Sequence, residues 1–494
     1  MPVATVAPLQ FPQPTLPNNI NQVAEPIENE SLPPHPPSYD SVAGSLINAN
    51  PNSPNSPTSP TSSSQDASAA LAVSRSLMTA VNNKADPDET CNLVLEVIRL
   101  AKDENMARKL VDAGVIPHLI IELKNSLPNG QGINNIIFAL GLLSHDLLSA
   151  SSIVRPGTAR QLIEISKGAQ AGPARACLAW CLGRMIQSDD IAAKFIEDGL
   201  PELLISWITV SDDRNAQRYC AWTLGTLARN DDLVDQLVEM KAIPVLASHL
   251  NLITAPQTNP DPEDLTAALF AVGRFARTIK LSKALAAEGS VEPMVQALKA
   301  TLDPKVLNWS ARAIGCHMRP NSSDMAKVLL RAGAADGLAR LPSMVPAEET
   351  EALGSFAFAI ARFSCAEWSP GTRQQLVEAG VVDALLRALR AAASVPATDP
   401  QVHAELALAI SFLGDVGGSA IRKEVQDSGG VDILKQLAMQ EPPEVRKACE
   451  TAIRSTTGNV FSRIGASAKA GLNHDWRGGC PEYHIVHPDF DAWT

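Results

Sequence analysis

Arginines that follow an aromatic residue at a spacing of four are the side chains in this sequence best suited to recognition chemistry. The three pairs are Trp180–Arg184, Phe270–Arg274 and Phe358–Arg362. A spacing of four places both members of a pair on one face of a helix. Because a guanidinium group binds carboxylate and phosphate groups through two parallel hydrogen bonds, the pattern predicts a surface that binds an acidic segment.

The helices that position these arginines recur at a nearly constant interval. Each contains an aligned small residue, as in the segments AWCLGRM and AWTLGTL. The successive small residues are Gly141, Gly183, Gly225, Gly273, Gly315, Ala361 and Ser411. Their spacings are 42, 42, 48, 42, 46 and 50 residues, which indicates an internal repeat.

A second motif keeps the same interval, namely a small residue followed by an apolar helix. Examples are DGLPELLISWI and AGVVDALLRAL. Each unit therefore reads as a short first helix, an apolar second helix and a third helix that carries the aligned small residue. The longer spacings coincide with Pro-rich insertions such as NLITAPQTNPDPED, which in a solenoid collect along one edge.

This three-helix unit resembles the armadillo repeat, the family of β-catenin and importin-α. The resemblance covers roughly residues 88–460, about eight units with degenerate ends. It implies an all-α fold, a right-handed armadillo-repeat superhelix, in which the third helices line a concave groove that binds extended peptides. HEAT repeats, which have two helices per unit, are the alternative fold.

The groove positions distinguish this chain from importin-α. In that family member a tryptophan is followed four residues later by an asparagine, and the two bind a basic peptide. Here Trp180 and Trp222 match the tryptophan column, but the asparagine column contains Arg184, Arg274 and Arg362. Arginine repels a lysine-bearing peptide, so the groove looks more like that of β-catenin, which accepts acidic extended partners. The candidate groove residues are Trp180, Arg184, Trp222, Arg229, Phe270, Arg274, Arg277, Arg319, Phe358 and Arg362.

Two interpretations of this pattern stay open at the level of sequence. In the first, the aromatic and arginine side chains bind a partner, and the protein is a non-enzymatic scaffold or adaptor for an extended acidic or phosphorylated segment. In the second, the aromatics pack in the core and the arginines are solvated charges. The alternative function is an armadillo-type regulator of a small GTPase or of a vesicle or cytoskeletal complex, which would bind a folded partner.

The N-terminal leader, residues 1–75, is rich in proline and serine and is predicted to be disordered, because it cannot bury enough apolar surface to offset its ordering entropy. It contains Pro36-Pro37-Ser38-Tyr39. Prolines pre-set the extended polyproline II backbone that WW domains accept. The tetrapeptide resembles a WW-domain ligand, so Pro36, Pro37 and Tyr39 are predicted to dock a WW-domain protein such as a HECT-type ubiquitin ligase.

Two further segments lie outside the repeats or carry modification motifs. Ser53, Ser56 and Ser59 each precede a proline, and proline-directed phosphorylation there would add negative charge to the leader. Residues 461–494 fit no repeat and are predicted to form an irregular C-terminal tail.

Composition and charge argue against several classes of function. The net charge of -12 argues against unaided binding to nucleic acid or to anionic membranes. The sequence has no apolar run long enough to span a bilayer and no targeting signal, so we expect a cytoplasmic or nuclear protein. The eight scattered cysteines suggest reduced thiols. Since no catalytic or phosphate-binding motif is found, no enzyme activity, cofactor or metal is expected.

Overall fold

The computed structural model describes residues 63–458, except residues 85, 126–130, 156, 170–171, 256–257, 319–322, 347, 367–369 and 441. The described residues form 26 helices and no strand. In chain order the helices are α1 (Ser63–Asn83), α2 (Pro87–Ala101), α3 (Glu104–Asp112), α4 (Val115–Asn125), α5 (Gln131–Leu143), α6 (Leu147–Ile153), α7 (Thr158–Lys167), α8 (Gly172–Met185), α9 (Asp189–Glu197), α10 (Leu200–Val210), α11 (Arg214–Leu227), α12 (Asp231–Glu239), α13 (Ala242–Ile253), α14 (Pro262–Phe275), α15 (Ile279–Ala287), α16 (Val291–Ala300), α17 (Pro304–His317), α18 (Ser323–Arg331), α19 (Ala334–Met344), α20 (Thr350–Ala366), α21 (Pro370–Glu378), α22 (Val381–Ser394), α23 (Pro400–Val416), α24 (Gly418–Asp427), α25 (Gly430–Gln440) and α26 (Pro443–Thr457).

Helices α3–α26 form eight consecutive units of three helices, and this confirms the predicted all-α solenoid. The third helices of the units pack against one another in sequence. They are α5, α8, α11, α14, α17, α20, α23 and α26. From α10 onward the second helices stack in the same order. Three helices per unit argue against the two-helix alternative.

A residue with positive φ separates the first helix from the second helix in every unit. Seven of the eight positions are glycine, and the eighth is Lys241 with φ 70°. The seven glycines are Gly114, Gly157, Gly199, Gly289, Gly333, Gly380 and Gly429. Because a left-handed conformation is strained for a residue with a Cβ atom, the repeated glycine follows from the sharp turn between these helices.

Close approach of neighbouring third helices explains the aligned small residues. A Cβ atom on Gly183 would lie 2.2 Å from the ring of Trp222 in the next unit, and one on Gly315 would lie 2.4 Å from the ring of Phe358. A side chain at either position would collide with an aromatic ring. The small residue therefore makes room for the aromatic residue one repeat further along the chain.

Polar contacts between residues one repeat apart connect neighbouring units. Thr223 Oγ1 donates to the main-chain oxygen of Ala179 at 2.8 Å, with a sequence separation of 44. Arg160 Nε donates to Asp198 Oδ1 at 3.0 Å, with a separation of 38. The repeat interval read from the sequence therefore reappears as the separation of residues in contact, as in other quasi-one-dimensional arrays.

Helix α1 begins inside the segment predicted to be a disordered leader. Ala70 and Leu77 of this helix are fully buried, and Asp66 forms a 2.9 Å ion pair with Lys109 of α3. The helix packs on α2, α3 and α4 and thereby covers the apolar end of the array. The packed array thus includes α1, which overlaps the predicted leader, residues 1–75, and precedes the predicted start of the solenoid at residue 88.

The cysteines were expected to be reduced thiols. Three cysteines, Cys177, Cys181 and Cys220, are buried free thiols, as expected. Cys316 is in a disulfide bond, so the expectation of reduced thiols is wrong at that position.

In the part of the chain that the structure describes, none of the helices combines the length and apolar character that crossing a membrane requires.

Candidate partner-binding face of the third helices

The aromatic residues of the predicted groove lie inside the solenoid. The four side chains, each at most 4% exposed, are Trp180, Trp222, Phe270 and Phe358. They occupy the space between neighbouring third helices, where the ring of Trp222 lies against Gly183 and that of Phe358 against Gly315. The rings thus pack successive units together, which agrees with the second interpretation of the pattern for the apolar part of these side chains.

Two of the predicted groove arginines join the two ends of their own repeat unit. Arg229 Nε donates to Asp189 Oδ1 at 2.9 Å, and Arg277 Nε donates to Asp231 Oδ1 at 2.7 Å. Each pair links the residues just after a third helix to the start of the first helix of the same unit, 40 and 46 residues earlier in the chain. Both guanidinium groups are less than 10% exposed. Their charge is thus compensated within the protein, which corrects their prediction as ligand-binding groups.

Phe358 lies between two arginines from neighbouring units. The Cζ atom of Arg312 is 4.5 Å from the ring centroid of Phe358, and that of Arg362 is 5.0 Å from it. Both distances suit a cation–π contact. Arg362 is only 4% exposed, so its prediction as a surface cation is also corrected. The spacing rule missed Arg312 because its aromatic partner belongs to the next unit.

Arg184 and Arg274 are partly exposed, as is Arg277, which forms an ion pair with Asp231. Arg184 and Arg274 follow the aligned glycines of the second and fourth units. We call the side of the third helices on which Arg184 and Arg274 lie the third-helix face. Arg184 Cζ lies 5.9 Å from the ring centroid of Trp180, at the outer limit of a cation–π contact. Within the described residues, neither Arg184 Nε nor Trp180 Nε1 has a hydrogen-bond partner.

The surroundings of Arg184 include both signs of charge. Burial lowers the pKa of Arg184, and attraction to Glu104 offsets this effect only in part. Glu104 itself forms an ion pair with Arg108. The pKa of His145 is lowered by burial and, to a smaller extent, by Arg108 and Arg184, although Asp146 opposes the shift. His145 is therefore neutral near pH 7, and Arg184 is the cation of this group that lacks its own carboxylate.

A buried charged cluster that the sequence did not reveal joins the third and fourth units. Arg218 of α11 is 4% exposed and binds three carboxylates at the start of α14. These are Asp261, Glu263 and Asp264. In the sequence these acidic residues appear only at the end of a Pro-rich insertion. No repeated spacing connects them to Arg218. Among the described residues, no three metal-binding side chains come together as a metal site.

Several predicted sites lie outside the described residues. These are Pro36, Pro37 and Tyr39 of the WW-domain motif, the phosphorylation candidates Ser53, Ser56 and Ser59, the groove candidate Arg319, and the C-terminal tail 461–494. They remain predictions from sequence.

The three-helix unit, its eightfold recurrence and the stacked third helices define an armadillo-type α-solenoid. No protein-family model matches the sequence, and the comparison with curated proteins gives no match. An engineered protein of known crystal structure is similar over 85% of this chain and 99% of its own, with 21% sequence identity and a TM-score of 0.58. This similarity supports the fold alone.

Designed armadillo repeat proteins are similar over a smaller part of the chain. One covers 52% of this chain and 99% of its own, with 19% identity and a TM-score of 0.43. Another, solved in complex with the peptide (KR)4, covers 52% of this chain and 100% of its own, with 20% identity and a TM-score of 0.42. These similarities are too partial to assign a ligand to this chain.

Proposed function

We propose that this protein is a non-enzymatic scaffold whose third-helix face binds an extended, acidic or phosphorylated segment of a partner protein. The observation that carries the proposal is the continuous column of eight third helices, on which Arg184 and Arg274 are partly exposed. Partly exposed arginines can form two hydrogen bonds to a carboxylate or phosphate group of a ligand. The proposed site is narrower than the sequence pattern, because Arg229, Arg277 and Arg362 are engaged or buried inside the protein.

The leader supplies the second half of the proposal. The Pro36-Pro37-Ser38-Tyr39 motif would recruit a WW-domain protein, for example a HECT-type ubiquitin ligase. Binding both partners on one chain raises the effective concentration of one near the other. We also propose that the protein acts in the cytoplasm or nucleoplasm, where its net charge of -12 favours solubility.

An affinity purification with three full-length proteins tests both parts. The variant Arg184→Glu/Arg274→Glu should lose the partners that bind the third-helix face, and Tyr39→Ala should lose WW-domain partners only. Arg362 is left unchanged because a buried substitution there would disturb the fold. If the double variant keeps every partner of the wild-type protein, the acidic-segment function is wrong. If the double variant still binds a folded GTPase but loses its other partners, that result would instead favour the alternative function, a regulator of a small GTPase.

A further inference from the structure

Arg184 differs from the other described arginines of the predicted groove in how its charge is compensated. Arg229 and Arg277 are bonded to carboxylates, and Arg362 is buried over an aromatic ring. Arg184 is partly exposed, and none of the ion pairs in the described part of the chain includes it. A ligand group can therefore reach this guanidinium without breaking an internal ion pair.

Two adjacent hydrogen-bond donors lack acceptors at this place. Arg184 Nε and Trp180 Nε1 are both buried, and each is without a partner among the described residues. They lie one turn apart on α8, and the guanidinium carbon is 5.9 Å from the indole ring. Because a buried donor without an acceptor is costly, and since nearly all such groups in proteins are satisfied, an acceptor is expected at this site.

The neighbouring charged groups do not supply that acceptor. Glu104 is bonded to Arg108, and Asp146 accepts a hydrogen bond from the main-chain nitrogen of Ser149. Gln187, one turn after Arg184, donates to the main-chain oxygen atoms of Ser144 and of Arg184 itself. None of these groups supplies the acceptor, so a ligand can supply it, and charge-assisted hydrogen bonds favour one that is negatively charged.

We propose that Arg184 and Trp180 form an anion subsite that receives one carboxylate or phosphoryl group of the bound segment. This proposal rests on the proposed function and deepens it, because it assigns the acidic group of the partner to one position near the start of the array. The anion contacts the guanidinium of Arg184, and a small shift of the ring brings the Trp180 N–H to a second oxygen. Residues of the ligand on either side then lie along the third helices of the first and third units.

Peptide binding to the full-length protein tests the subsite. Four fluorescent peptides of about ten residues serve as probes: alternating Glu-Ser, alternating Gln-Ser, the Gln-Ser peptide with one central glutamate, and the same peptide with one central phosphoserine. The variants are Arg184→Gln, Trp180→Phe, which keeps a ring but removes the N–H, and Arg387→Gln. Arg387 is a matched control because it is an exposed arginine of α22, a second helix, with its own ion pair to Asp383.

We expect the wild-type protein to bind the Glu-Ser peptide about ten-fold more tightly than the Gln-Ser peptide. Arg184→Gln removes this preference, Trp180→Phe weakens it, and Arg387→Gln leaves it unchanged. A single phosphoserine or glutamate that restores binding to the wild-type protein but not to Arg184→Gln identifies the group that the subsite takes. If Arg184→Gln keeps the wild-type preference, the subsite is wrong although the acidic-segment function stands. If the wild-type protein has no preference, the acidic-segment function fails as well.

Discussion

Arg218 Nε donates to Asp264 Oδ1 at 2.6 Å across the boundary between the third and fourth units. Both side chains are nearly fully buried, with 4% and 5% exposure. The same guanidinium also bonds to Asp261 and Glu263, so one cation binds three carboxylates at the start of α14. A buried charge is stable only when it is paired and hydrogen-bonded, which makes this cluster a point where two units depend on each other.

Removal of Arg218 should therefore destabilise the third and fourth units. Arg218→Met keeps most of the side-chain volume but leaves Asp264 buried without its cation, at an expected cost of about 3–5 kcal/mol. Native-state hydrogen exchange in α11 and α14 measures the loss locally, which is needed because a repeat array does not unfold as one two-state unit. The matched control Arg387→Met breaks an exposed ion pair and should change stability by less than about 1 kcal/mol. If the two substitutions reduce stability equally, the buried cluster contributes no more to stability than an exposed ion pair.

The same substitution, glycine to alanine, should have opposite effects on stability at two aligned glycines of the third helices. A Cβ atom on Gly183 would collide with the Trp222 ring at 2.2 Å, so Gly183→Ala should destabilise the protein by about 1–3 kcal/mol. A Cβ atom on Gly273 would meet its nearest neighbour, Ala313 Cα, at 3.4 Å, which is ordinary contact. Gly273→Ala should therefore be neutral or stabilising by up to about 1 kcal/mol, through helix propensity. Native-state hydrogen exchange measures both locally, in α8 and α11 for Gly183→Ala and in α14 and α17 for Gly273→Ala. A destabilised Gly273→Ala would contradict the packing argument.

The sequence predicted those features of the fold that depend on local chemistry and on repetition. Glycine before seven of the eight second helices and the aligned small residue of the third helices both reflect short-range geometry, and they recur often enough to be recognised. The roles of the arginines depend instead on contacts between residues about 40 positions apart. Arg184 and Arg229 look alike along the chain, but only Arg229 has Asp189 beside it in the folded protein. The helical pattern also could not separate a ring that packs between units from one that lines a surface, since both lie on the same helix stripe.

Lys241 occupies the position that glycine holds in the other seven units. Its φ of 70° is left-handed, and the Cβ atom of an L-residue makes that conformation costly. We expect Lys241→Gly to stabilise the fourth unit by about 1 kcal/mol. In contrast, Lys194→Gly, at an exposed lysine within helix α9, should destabilise by about 0.5–1 kcal/mol because glycine is a poor helix former. Native-state hydrogen exchange gives the signs locally, in α12 and α13 for Lys241→Gly and in α9 for Lys194→Gly. A loss of stability in Lys241→Gly would show that the lysine side chain contributes more than its backbone strain costs.

His249 of α13 makes the stability of the array depend on pH. Its ring is 4% exposed, both ring nitrogens are buried without a hydrogen-bond partner among the described residues, and burial lowers its pKa to about 4. In the unfolded chain the same side chain takes up a proton near its ordinary pKa of about 6.5. Protonation therefore favours unfolding as the pH falls below about 6.5, and the loss grows to about 3 kcal/mol near pH 4, where the folded state also begins to bind the proton.

His249→Leu tests this dependence because leucine fills a similar volume without a titratable group. The difference in unfolding free energy between the variant and the wild-type protein should increase in favour of the variant from pH 7 to pH 4, and it should be constant above pH 7. Comparison at each pH removes the contribution of the carboxylates, which titrate in both proteins. His118→Leu is the control, since His118 is partly exposed and its pKa is lowered less by burial. A difference between His249→Leu and wild type that stays the same from pH 7 to pH 4 would mean that the buried ring is protonated as easily in the folded protein as in the unfolded chain.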